Sequence, residues 1–137
     1  MSSAVAELQT AIHAALAGDA GLTGLLGGVR VYDHTPPNVP FPYVTFGRTS
    51  VYDWGTGTES GTEQLITLHV WSKGRGKKET HELVEAIAAR IHDSGLDLEE
   101  HRLVNLRLEF LDVIFDEDLD VHHGMLRFRA VTEPATP

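Results

Sequence analysis

The sequence predicts an α+β fold, a two-layer sandwich with two main helices packed on one face of a mostly antiparallel sheet. Three observations predict it. Two stretches, one at the start and one past the middle, carry apolar residues at three- and four-residue steps. The stretches between and after them alternate with a period of two, as half-buried strands do. The breaks are short and rich in glycine, proline and small polar residues. The 137 residues, 42% hydrophobic and 23% charged, suit one domain spanning 1–137 with a single core.

Taken in order, residues 2–17 read as an amphipathic helix. Val5, Leu8, Ile12 and Leu16 form its stripe, Ser2 or Ser3 caps it, and Gly18 ends it. A half-helix over 19–26 stops at Gly27-Gly28, and 29–34 is a brief strand. Four prolines in 35–42 remove four backbone donors, so that segment is a stiff extended loop. Residues 43–54 and 64–73 form a long hairpin. In its second strand Leu65, Thr67, His69 and Trp71 oppose Ile66, Leu68 and Val70; in its first, Val44, Phe46, Arg48 and Ser50 share a face. The tip 55–61, with Gly55, Gly57, Glu59 and Gly61, is small and polar and is expected to be flexible. After Gly74-Arg75-Gly76 comes a helix over 77–93, with Leu83, Val84, Ile87, Ala88 and Ile91 as its buried stripe. A strand over 102–115 sets Leu103, Asn105, Arg107 and Glu109 against Val104, Leu106, Leu108 and Phe110. An acidic turn over 116–124 leads to a last strand, 125–131, where Leu126 and Phe128 oppose Arg127 and Arg129. The tail 132–137 is expected to fray.

Charge and composition remove several function classes. Eleven basic against twenty acidic residues leave −9, a field that repels phosphate and argues against a conventional nucleic-acid binder. Without cysteine there is no disulfide, no thiolate catalysis and no cysteine-held zinc. The N-terminus lacks the charged and apolar regions of a signal peptide, and no stretch approaches a membrane span. Synthesis and folding in a cytosol, with no membrane partner, is the expectation.

The turn from Trp71 to Thr80 sits where phosphate loops occur, between a strand and a helix. A phosphate loop needs a glycine where Trp71 stands and a hydroxyl where Lys78 stands, so the motif fails. It reads as a solvated basic turn. Of the eight histidines, His122 and His123 are adjacent: on a strand they would point to opposite faces, in a turn they could share an ion; His81 and His92 lie about 16 Å apart along a helix. Neither pair is expected to make a metal site, and the acidic run before them lacks the glycine and last glutamate of a calcium loop. No strand–turn–helix nucleophile elbow supports a hydrolase. The chain is expected to be no enzyme and to hold no cofactor or metal.

What remains distinctive is a layout. A helix leads to Val31-Tyr32-Asp33-His34 and a proline-rich entry, Pro40 to Gly47. Ile66 to Ser72 then runs into a glycine/lysine turn and a helix containing Glu82 to Ile87. Leu106 to Asp112 precedes His122 to Ala130. Over residues 3–133 this order and spacing resembles the tail-terminator, or tail-completion, proteins of long-tailed phages, prophages and gene transfer agents. The resemblance implies a ring, usually a hexamer, that stops growth of the tail tube and joins the head–tail connector. Its implied partners are further copies of itself, the major tail tube protein and the connector protein, with DNA crossing the bore unbound. It supplies no catalytic residues. The residues themselves leave two other readings open: another connector or tail-tube component, and a small metal-dependent enzyme or ligand-binding domain.

Within the implied ring, the basic turn of Lys73, Arg75, Lys77 and Lys78 and the acidic turn of Asp116, Asp118 and Asp120 are candidate complementary patches. The tip 55–61 is a candidate docking segment, ordering when it meets a partner.

Overall fold

A computed structural model describes residues 3–57, 60–74 and 76–135. Among them the chain forms α1 (Ala4–Ala17), α2 (Ala20–Leu26), β1 (Val31–Tyr32), β2 (Tyr43–Asp53), β3 (Thr62–Ser72), α3 (Lys78–Ile91), β4 (His101–Asp116) and β5 (Val121–Pro134). The strands make one sheet in the order β1-β2-β3-β5-β4. All neighbours are antiparallel except β1, which runs parallel to β2 for two residues. The α+β sandwich is therefore the observed fold. Strand β5 returns between β3 and β4, so the latter two run parallel, and α3 is the crossover that parallel strands require.

Local chemistry sets the helix ends. Ser3 Oγ accepts from the Ala6 N–H at 3.0 Å, making Ser3 the cap; Ser2 lies outside the described residues. Asp19 Oδ1 accepts from the Leu22 N–H at 2.9 Å to start α2. Gly27, at φ 81°, closes α2 in the left-handed region that glycine enters without a Cβ clash. Arg30 donates to the carbonyls of Leu26 and Phe41, tying that end to the proline-rich loop. The helices share one face of the sheet. Leu8, Ile12, Leu16, Leu22, Leu26, Leu83, Val84, Ile87 and Ile91 form one core with Val44, Ile66, Leu68, Val70, Leu106, Leu126 and Phe128. The Glu7 carboxylate, almost without exposure, anchors α1 to the start of β4. It accepts from the Glu100 N–H at 2.8 Å and meets His101 Nδ1 at 2.8 Å. Burial opposes its ionisation, but those bonds and the His101 charge outweigh it and hold its pKa below the ordinary value.

Four expectations need correction. The β2 alternation slips at a bulge between Phe46 and Thr49, so Thr49 and Val51 follow Val44 and Phe46 inward while Arg48 and Ser50 turn outward. Bulges after Leu103 and Leu108 do the same in β4, leaving Val104 and Phe110 44% and 43% exposed. The acidic turn is shorter than 116–124, because pairing resumes at Val121 opposite Asp116. The tail is strand through Pro134: Thr132 is buried and its hydroxyl meets that of Thr62 at 2.5 Å. Residues 136 and 137 lie outside the described residues.

Candidate assembly surface

Among the described residues every helix lies on one side, and no layer covers the opposite face of the sheet. Strand alternation brings Tyr43 of β2, Trp71 of β3 and His123 of β5 into register across it. They form an aromatic ladder continued by Phe41. Ring centroids stand 5.1 Å apart from Phe41 to Tyr43, 6.5 Å from Tyr43 to Trp71 and 4.1 Å from Trp71 to His123, the last pair stacked with nearly parallel planes. The Trp71 indole N–H donates to Thr45 Oγ1 at 3.1 Å, and the Lys73 ammonium lies 4.9 Å from the Phe41 ring centre.

Beneath the ladder, His69 Nδ1 and His123 Nε2 share a 2.7 Å hydrogen bond. The His69 ring lies over Gly47, where a Cβ would come within 2.3 Å of Nε2, so the bulge glycine provides the slot. Burial lowers the pKa of His69, and the neighbouring His123 lowers it further. Burial also lowers that of His123, partly offset by Asp116 and Asp112. The bond needs a donor facing an acceptor, so two protonated rings cannot make it. The folded chain thus binds fewer protons here than the unfolded chain, whose histidines titrate near the ordinary 6.5. Unfolding free energy should fall as pH drops below about 6.5, levelling only below the folded values. Urea midpoints at pH 7.5 and 5.5 measure this. His69→Gln should flatten the dependence, and an unchanged slope in that variant would refute the assignment.

The same face gathers arginine. Arg48 and Arg127 flank a shallow recess with Ser50, Tyr52, Leu65 and Thr67, and Arg129 pairs with Glu63 at 2.6 Å. Arg127 lies 5.7 Å from the Phe110 ring centre. Among the described residues neither Arg48 nor Arg127 has a carboxylate partner. Toward the open edge of the sheet, β4 exposes Phe110, Leu111, Ile114 and Phe115, and Leu119 follows in the turn. An edge strand apolar on both faces is a candidate interaction surface, because exposing it to water is unfavourable and free backbone groups invite pairing.

The residues singled out from sequence fall at opposite ends of the sheet. Register puts the turn 73–77 beside the turn 117–120, since Ser72 pairs with His122 and Asp116 with Val121. Lys73 lines one cleft with Leu119, Val121, Phe41 and Trp71. Lys77 and Lys78 open α3, and Lys78 stands 4.0 Å from Glu82. Arg75 lies outside the described residues. Asp116 Oδ1 accepts from the Leu119 N–H at 3.1 Å, and Asp120 takes a positive φ of 54°, together closing the hairpin that holds Asp118. Basic and acidic turns thus meet within one chain. The tip lies at the far end: Gly55 donates to Asp53, Gly61 accepts from Trp54, Gly57 is exposed, and Thr58 and Glu59 are outside the described residues. His122 and His123 do take opposite faces, His122 against Phe115 and His123 against Trp71.

Sequence reading missed the uncovered face as a site. Its signal was present: the outward positions of these strands hold arginine, tyrosine and tryptophan, while lysine occurs only at 73, 77 and 78. Among the described residues no helix is long and apolar enough to cross a membrane.

The sequence model of the family described as tail completion protein gp17 matches residues 10–133. A solved chain from a structure titled "Virion of native gene transfer agent (GTA) particle" has the same fold. It is 31% identical, the match covers 96% of this chain and 99% of that one, and the TM-score is 0.86. No curated protein matches the chain.

Proposed function

The chain belongs to the tail completion protein gp17 family, and from that premise we propose that it is the terminator of a phage-type tail. That it is a structural component of a virion tail follows from the family and from the particle match. The finer reading is a closed ring, six subunits by resemblance, at the head-proximal end of the tube. There it stops tube growth and joins the connector, meeting the major tail tube protein on one side and the connector protein on the other. Its mechanism is geometric and not catalytic: a subunit that closes on itself presents no further tube-type end.

The observation that carries this is the uncovered sheet face, with its aromatic ladder, adjoining apolar edge, and Arg48 and Arg127 without a carboxylate partner among the described residues. A chain meant to stay alone would put lysine in place of these aromatic residues and arginines. The two ends of the sheet suit two different partners. One bears the turns of Lys73, Lys77 and Asp116, the other the tip 53–62. The acidic balance of −9 suits a bore through which DNA slides without being held.

Deleting the gene from a strain that makes the particle tests the reading. Electron microscopy should show tails that are overlong or lack heads, and complementation in trans should restore both length and joining. Tails of normal length attached to heads in the deletion strain would sink it. Loss of the tube itself would point to a tube subunit, and normal free tails beside defective heads to a connector part.

A further inference from the structure

Resting on the ring reading, we infer that the uncovered sheet face of one copy packs on the helix layer of the next, so that subunits join sheet to helix around the ring. The two layers differ in local charge: around one recess the sheet side is basic, with Asp112 and Asp116 lying nearer His123, while the exposed helix side is mostly acidic. On the sheet side Arg48 and Arg127 share a recess with Ser50, Tyr52, Leu65 and Thr67, on the face that also carries Tyr43, Trp71 and Met125, and neither has a carboxylate partner among the described residues. On the helix side the exposed positions are acidic: Glu82 and Glu85 on α3, and Asp97 and Glu99 beside α1. Of the basic residues α3 brings to that side, Lys77 and Lys78 stand at its start, with Lys78 already near Glu82, and Arg90 in its last turn donates to Ser94.

This arrangement selects among the ways two copies can meet. Sheet on sheet sets arginine against arginine, and helix layer on helix layer sets carboxylate against carboxylate; both juxtapositions repel. Sheet on helix layer pairs opposite signs, covers the aromatic ladder and uses two different patches. Such a contact is heterologous, and it generates a ring when the rotation between copies closes. Aromatic residues, methionine and arginine together on an uncovered face are what the centre of a protein interface is made of, and the helix layer supplies the matching sign. The arginines so placed lie at the contacts and away from the bore.

Charge reversal reads out the pairing. Arg48→Glu with Arg127→Glu makes both layers acidic; Glu85→Arg with Glu99→Arg makes the helix side basic. Sedimentation of the wild type should show a closed oligomer. Each double variant alone, folded by circular dichroism, should assemble at least tenfold more weakly. Mixed in equal amounts, the two should rebuild a closed oligomer of alternating copies, because each mismatched layer now finds its opposite. All four changes in one chain should restore assembly as well. Sheet variants that assemble like the wild type would overturn the inference and leave the ring standing. So would variants that fail singly and are not rescued by mixing, which would mean that these two layers do not pair with each other. Retention of duplex DNA by the wild type but not by the sheet variant would overturn it too. A wild type that stays single, in solution and in cross-linked particles, would refute the ring itself.

Discussion

Replacing Phe128 with alanine is expected to cost about 3–5 kcal/mol, a large share of the roughly 5–15 kcal/mol that holds a domain of this kind together. Phe128 is fully buried on β5, paired with Ile66 on one side and Leu108 on the other, and belongs to the core that all three helices cover. Removing the ring loses its transfer energy and leaves a cavity that neither the strands nor the helices can close without breaking pairs elsewhere. Urea unfolding followed by circular dichroism should show a lower midpoint with an unchanged slope. Leu119→Ala, at an exposed turn position, should shift stability by no more than about 0.5 kcal/mol. A loss below about 1 kcal/mol at Phe128 would mean that the centre of the core lies elsewhere.

The second large effect is expected at Gly124, where the side chain is absent so that a helix can come close. An alanine Cβ there would lie 2.7 Å from Val84 Cγ1, 3.1 Å from Thr80 Cγ2 and 3.4 Å from Val70 Cβ. Val84 and Thr80 are β-branched residues on α3, held to few rotamers, so relief requires the helix to lift from the sheet. Overpacking of this kind costs about 1–3 kcal/mol, against a gain of about 0.4–1 kcal/mol from stiffening the unfolded chain. The net loss should be recovered in part by Val84→Ala in the same chain, and a double-mutant cycle measures the coupling. Strictly additive losses would show that the helix does not rest on this glycine.

These two positions mark where the sequence was legible and where it was not. Phe128 declared itself: Leu126 and Phe128 alternate with Arg127 and Arg129, and β3 alternates without interruption, so the paired centre of the sheet could be read directly. Gly124 did not. With His122 and His123 it looks like turn material, and only the helix crossing above it explains a glycine inside a strand. Period-two reading also failed at the bulges of β2 and β4, because one extra residue shifts every later side chain to the other face and leaves no composition signal. The charged turns were found as loops, but their meeting at one end of the sheet depends on strand order, which local pattern does not encode. The arginine and aromatic face was hidden for the same reason: its members come from three strands, and each looks like an ordinary outward position until the strands are laid side by side.

The open edge of β4 has a consequence for the subunit before it finds its place. Phe110, Leu111, Ile114 and Phe115 are exposed on an edge strand whose open side is bonded, among the described residues, only at Leu106 and Leu108 by Asp93 and His92, so every encounter between free subunits is an opportunity for disordered association. Asp112, Asp116 and the acids of the following turn stand along that strand and act as gatekeepers, while the excess of negative charge keeps the colloid dispersed. That protection is electrostatic and short-ranged, about 10 Å at 0.1 M salt, and it weakens as salt rises or as acid titrates the carboxylates. Disordered association at this strand is therefore expected to rise with ionic strength and with the concentration of free subunits.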